Sequence, residues 1–233
     1  MKKLILGIYM ILFCSVSAYM NIYPVNFDKR IDGIGDTEEY TITNTTNKIL
    51  KYRIYLEESN ENDMSKWIQI YPESLILKPG QEKKVKIYVN SPEGIKEGEY
   101  STILGIKEVH IPKITKNEEL LDVYTNLKLK IYGYVGELPT KIETKDINIK
   151  KINKEIKMNG EIKNLSKRRI DIDFIYSDGD NEFIIAEERI RKDEVLYLNQ
   201  VELFLNNIDI KNGKIKIIDK KKKEILKEIK IWY

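Results

Sequence analysis

The chain is 233 residues long, with 40 basic and 37 acidic side chains interspersed along it and a formal net charge of +3. Such a surface of mixed sign excludes the concentrated basic footprint of a nucleic-acid-binding protein. One histidine and one cysteine are too few for a zinc site. His110 lies between Val109 and Ile111-Pro112 at a predicted strand end, where it reads as a half-exposed loop residue and not as the base of a triad. The acidic doublets Glu57-Glu58, Glu118-Glu119 and Glu187-Glu188 fall at strand ends and in loops and read as solubility. Asp178-Gly179-Asp180-Asn181 reads as a hairpin turn because it lacks the downstream spacing of an EF-hand. No catalytic residue, metal or cofactor is predicted.

At the start, Met1-Lys2-Lys3 is a short basic segment, Leu4 to Phe13 is apolar, and Val16-Ser17-Ala18 supplies small residues. This is the pattern of a secretory signal peptide over 1–18, cleaved after Ala18. Cys14 follows the large Phe13, where a lipobox needs a small residue. Removing 18 residues from 233 leaves 215, Tyr19 to Tyr233, without a cysteine. An exported chain of that kind draws its stability from buried apolar surface and not from disulfides. No later stretch has the roughly eighteen apolar residues of a membrane span, so stable membrane insertion is not expected.

Alternating Ile, Val, Tyr and Leu then predict strands at 21–31, 37–44, 49–57, 67–71, 74–78, 82–90, 99–109 and 120–134. Turns are marked by Asp32-Gly33, Asn44-Thr45-Thr46-Asn47, Lys78-Pro79-Gly80 and Ser91-Pro92-Glu93-Gly94. This density of short strands fits one immunoglobulin-like sandwich over 19–136. Gly136-Glu137-Leu138-Pro139 interrupts the pattern, which resumes with strands at 145–152, 155–163, 169–177, 182–190, 195–204, 213–218 and 224–232. A second, smaller sandwich over 137–233 follows. Lys220 to Lys223 is the one basic run, read as the solvated turn of the last hairpin. Both halves carry a strand running into an Asn-led turn: Thr41-Ile42-Thr43-Asn44-Thr45-Thr46 and Gly160-Glu161-Ile162-Lys163-Asn164-Leu165-Ser166. The fold class is all-β, with two tandem immunoglobulin-like β-sandwich domains.

The strand predicted at 120–134 is the most informative element. Strands average about five to six residues, and a much longer one has more edge than a hairpin needs. An edge with free amides and alternating apolar side chains is a template for another chain. One face carries Leu121, Val123, Leu127 and Leu129, the other Tyr124, Tyr132 and Tyr134. One face is expected to cover the home core while the other serves a guest.

Three features of the first half occur in a familiar order: Tyr40-Thr41-Ile42-Thr43-Asn44; Tyr71-Pro72-Glu73-Ser74-Leu75-Ile76-Leu77-Lys78-Pro79-Gly80 followed by Val85-Lys86-Ile87-Tyr88-Val89; and Ile111-Pro112, a polar loop, then the long strand through Lys130. Together they resemble the periplasmic pilus-assembly chaperones, the PapD-like family. Gly98-Glu99-Tyr100-Ser101 stands where the family has an Arg-Glu-Ser stretch, which marks a divergent member. The resemblance implies two immunoglobulin-like domains in a boomerang and a periplasmic location. It also implies that the strand is lent to pilus or other surface-fibre subunits, which pass to an outer-membrane usher-type platform. Leu121, Val123, Leu127 and Leu129 would be the donated face. Lys130 and a first-strand cation would anchor the subunit carboxylate. The family spacing counted back from Asn44 lands on Asp28, and a two-residue slip gives Arg30. A self-capping homodimer is a further state implied for the unbound protein. Two other readings stand beside this one. The chain could be a non-chaperone envelope protein, an adhesin or scaffold whose long strand stays at home. It could also be a carbohydrate-binding sandwich using Trp67 and Trp232.

Overall fold

The computed structural model describes residues 20–110, 124–152, 155–204 and 213–231. The predicted leader, Ile111-Pro112, Glu118-Glu119, Leu121, Val123 and Trp232 lie outside the described residues. Two units each have their own core. The first takes residues up to Ile95 with Tyr100–Gly133, the second Lys96–Glu99 and residues from Tyr134 onward.

The first unit contains β1 (Met20–Tyr23), β2 (Asp28–Arg30), β3 (Asp36–Asn44), β4 (Leu50–Glu57), β5 (Ile68–Tyr71), β6 (Ser74–Leu77), β7 (Glu82–Val89), β8 (Gly98–Val109) and β9 (Asn126–Val135). They form a four-stranded sheet ordered β1-β3-β7-β5 and a five-stranded sheet ordered β2-β9-β8-β4-β6. Period-two alternation sends Tyr40, Ile42, Val85 and Ile87 of one sheet inward. They meet Tyr52, Ile54, Leu104, Ile106 and Ile131 of the other.

The strand predicted at 21–31 is two strands in different sheets. β1 pairs with β3, ending at Tyr23 opposite Thr41. Pro24 has no N–H to continue that ladder. The chain crosses over, and the Phe27 carbonyl accepts the Tyr132 N–H of β9 at 2.9 Å. The inward residues change phase at the crossing, from the half-buried Met20 and Ile22 to the buried Phe27 and Ile31.

The second unit contains β10 (Ile142–Ile152), β11 (Glu155–Asn164), β12 (Ile170–Ser177), β13 (Glu182–Ile190), β14 (Val195–Tyr197), β15 (Lys214–Asp219) and β16 (Glu224–Lys230). The sheets are β10-β11-β14 and β13-β12-β15-β16. Ile162, Ile172, Phe174, Ile185, Ile215 and Ile217 lie in the core between them. The strand predicted at 195–204 ends at Tyr197, and a single turn of 3-10 helix over Leu198–Gln200 follows. Val195-Leu196-Tyr197-Leu198 is a continuous apolar run, which a straight strand would split between two faces. The turn swings Leu198 into the core, where it is 1% exposed.

The Asn-led turns are the same device in both units. The Asn44 side-chain amide donates to the carbonyls of Lys48, Leu77 and Lys78, and its oxygen accepts from the Thr46 N–H. The Asn164 amide donates to Arg168, Ile190 and Arg191, and its oxygen accepts from the Ser166 N–H. Each asparagine closes its own turn and ties that turn to a second strand end. Both are fully buried, where unpaired amides would be costly.

Candidate functional site: the margin of strand β9

β9 carries both predicted anchor and donor residues. Ile131 points into the core of the first unit's sandwich, and Leu127 and Leu129 share its face by the same alternation. Burial fades along that face, from Ile131 at 0% exposed to Leu129 and Leu127, both half-buried. The home core and the predicted donated residues therefore occupy one face of the strand, at different distances along it. The opposite face carries Asn126, Lys128, Lys130, Tyr132 and Tyr134.

Register places the half-buried end. Asn44 on β3 donates to the Leu77 carbonyl on β6 at 3.1 Å, and Leu77 lies opposite Leu50 on β4. One row further in, Ile22 of β1 faces Ile42 and Tyr52 faces Glu108. The Glu108 N–H donates to the Thr125 carbonyl at 2.8 Å, just ahead of β9. The Glu108 carboxylate accepts the Thr125 N–H at 3.1 Å. Leu127 then comes level with Ile106. The half-buried Ile22, Leu127 and Leu129 thus lie in the outer rows of the sandwich, near where the first strand leaves one sheet for the other.

The neighbour on that side of β9 is short. Among the described residues, the only strand beside β9 there is β2, three residues against ten. β2 meets β9 around Tyr132. Gly133 lets it approach: a Cβ there would lie 2.6 Å from the Ile31 Cδ1. The stretch of β9 that holds Leu127 and Leu129 has no facing strand on this margin among the described residues.

The cations of β2 and β9 separate by face. Lys29 points between the sheets. Its Nζ donates to Asp36 at 3.0 Å and to the Thr37 carbonyl at 2.6 Å, and lies 3.3 Å from Glu38. Asp36 and Glu38 share rows with the buried Val89 and Ile87. Burial would lower the Lys29 pKa, but the Asp36 and Glu38 carboxylates outweigh it and hold the ammonium above the ordinary lysine value. Lys29 is a staple across the seam. Arg30 points outward and is held by Asp32 through two hydrogen bonds, at 2.6 and 2.9 Å. Lys130 is exposed and lies over the Tyr132 ring, 5.6 Å from its centroid. Because β2 adjoins β9, Arg30 and Lys130 stand on neighbouring strands of one outer face.

His110 and Tyr124 bracket the segment that precedes β9. The His110 Nδ1 and the Tyr124 hydroxyl are 2.5 Å apart, with the rings edge to face. A pairing across thirteen intervening residues left no signal in the sequence. Trp67 leans on Tyr100 with ring centroids 4.8 Å apart, half-buried and packed. Among the described residues, no group of three or more ligating side chains could hold a metal ion.

No protein-family model matches the chain, and no curated protein matches it. Solved structures do. The chain is similar to the class 5 fimbriae chaperone CfaA at 17% identity, over 91% of this chain and 97% of that one, with a TM-score of 0.48. It is similar to the E. coli chaperone DraB at 11% identity, over 91% and 94%, with a TM-score of 0.48. A chain from the complex of Salmonella enterica SafA pilin with the SafB chaperone aligns at 9% identity, over 93% and 97%, with a TM-score of 0.48. The four sheets themselves define the class: an all-β protein of two immunoglobulin-like sandwiches.

Proposed function

We propose that this protein is a periplasmic chaperone that lends β9 to subunits of a pilus or other surface fibre. It would complete their fold until they reach an outer-membrane usher-type platform. One observation carries the reading. The margin of β9 beside Leu127 and Leu129 has no facing strand among the described residues, and both leucines are half-buried on the core-facing side. An extended guest segment there would gain main-chain hydrogen bonds from β9 and cover the two side chains. At about 25 cal/mol per Å², burying about 100 Å² more of apolar area at each would contribute roughly 2.5 kcal/mol before ordering costs. The ordered motifs around Asn44, Pro79-Gly80 and Lys130 support the same reading. It assigns Lys130 to the guest's terminal carboxylate, with Arg30 as second cation once it exchanges Asp32 for the guest. Binding, and not catalysis, is the activity.

Leu127→Glu and Leu129→Glu test this. Each variant is expected to lose co-purification with fibre subunits from periplasm while the isolated protein keeps its circular dichroism spectrum and melts cooperatively. If Leu127→Glu unfolds the isolated protein, the side chain belongs to the home core and the reading fails.

A further inference from the structure

The outer face of the five-stranded sheet carries a second cluster, away from Leu127 and Leu129. Tyr52, Ile54, Leu104, Ile106, Leu75 and Leu77 point inward, so Lys51, Arg53, Lys107, Val109 and Ile76 point out. Register sets them in two adjacent rows: Ser74, Arg53 and Lys107 in one, Ile76, Lys51 and Val109 in the next. Arg53 thus stands directly opposite Lys107, a like-charge pair that destabilises a sheet. Among the described residues none of the three cations has a carboxylate partner, whereas several sheet cations elsewhere find one. Glu39 lies between Lys84 and Lys86, Glu57 pairs with Lys128, Glu182 with Lys216, and Asp171 with Arg189. Lys150 and Lys157 are also opposed, but their next outward row is Asn148 and Asn159. Here the next row presents Ile76, 52% exposed, beside Val109.

We infer that this face binds an acidic polypeptide segment in extended conformation carrying one large apolar side chain. Lys51 and Arg53, two apart on a strand, are about 6.7 Å from one another, and Lys107 is about 5 Å across from Arg53. Carboxylates at alternate positions of an extended chain have the first spacing. A fluid anionic bilayer has no fixed spacing to match. Three uncompensated cations complement the acidic groups, and Ile76 with Val109 receives the apolar side chain. The like-charge opposition, costly in the free protein, is relieved when a carboxylate sits between Arg53 and Lys107.

The probe is a fluorescein-labelled peptide of alternating glutamate and threonine around a central leucine, titrated against the full exported chain by anisotropy. A peptide with glutamine for glutamate and vesicles rich in phosphatidylglycerol run in parallel. Binding of the glutamate peptide is expected to weaken with salt. It should fall by about tenfold or more in Arg53→Glu/Lys107→Glu, and hold in Lys222→Glu/Lys227→Glu, which makes the same charge change elsewhere. Lys107→Glu alone should lose binding while its melting temperature stays level or rises, because it turns the opposed cations into an ion pair. Equal affinity for the glutamine peptide, wild-type affinity of the Arg53→Glu/Lys107→Glu protein, or vesicle binding through these residues without peptide binding would each overturn the proposal.

Discussion

The Tyr52 hydroxyl lies in the core of the first unit, with no hydrogen-bond partner among the described residues. Burial, with the Glu108 carboxylate nearby, pushes its pKa up to about 12 from an ordinary 10.0. Above pH ~10 the unfolded chain releases a proton that the folded chain keeps, so this group's contribution to stability falls as pH rises. The fall runs to about pH 12, at about 1.4 kcal/mol per unit. Tyr52→Phe should raise stability at neutral pH by about 1 kcal/mol, since it removes an unpaired buried hydroxyl. Its advantage over wild type should grow between pH 10 and pH 12, as measured by urea unfolding across that range. A midpoint that falls at neutral pH would mean that the hydroxyl is satisfied. Nothing in Lys51-Tyr52-Arg53 distinguishes this tyrosine from the exposed ones, because a hydroxyl's partner is a tertiary fact. The anchor candidates were legible in the same partial way. Arg30 and Lys130 can be named from motif spacing, but the diversion of Lys29 into a staple between sheets depends on Asp36 and Glu38 lying across the seam.

Most strands were legible because a half-buried strand writes its period of two into the chain. Glu182–Ile190 was anticipated to the residue, and most others to within a residue or two. The failures are instructive. The first strand's switch between sheets lies in a change of phase between Ile22 and Phe27 within one predicted segment, and the end of β14 came where continuous apolar residues could not all face one core. The duplicated asparagine turns were visible as a motif, but their reach to Leu77 and Ile190 was not. Replacing either asparagine with alanine removes three donated hydrogen bonds, among them those to the buried carbonyls of Leu77 in one unit and of Arg168 and Ile190 in the other. Asn44→Ala and Asn164→Ala should each cost about 3 kcal/mol, checked by chemical denaturation. A loss below about 1 kcal/mol would show that water replaces the amide.

Across the whole molecule, two cores without a cysteine in the described residues carry the stability. Calorimetry should resolve a transition for each core, with Asn44→Ala lowering only one and Asn164→Ala only the other. A single transition displaced equally by both would show that the cores melt as one cooperative body. Composition and periodicity were enough to establish an all-β chain of two sandwiches and to locate most of the strand turns; of the strand predicted at 120–134, the described part is Asn126–Val135. Those properties follow from local chemistry: which residues alternate, which turn, and which charges are interspersed. Which strand lies beside which, where β2 stops along β9, and that the face of Leu127 and Ile131 is the one turned to the core came only from the assembled sheets. Strand pairing joins segments far apart in the chain, and the choice among neighbours rests on complementary packing that no single segment contains.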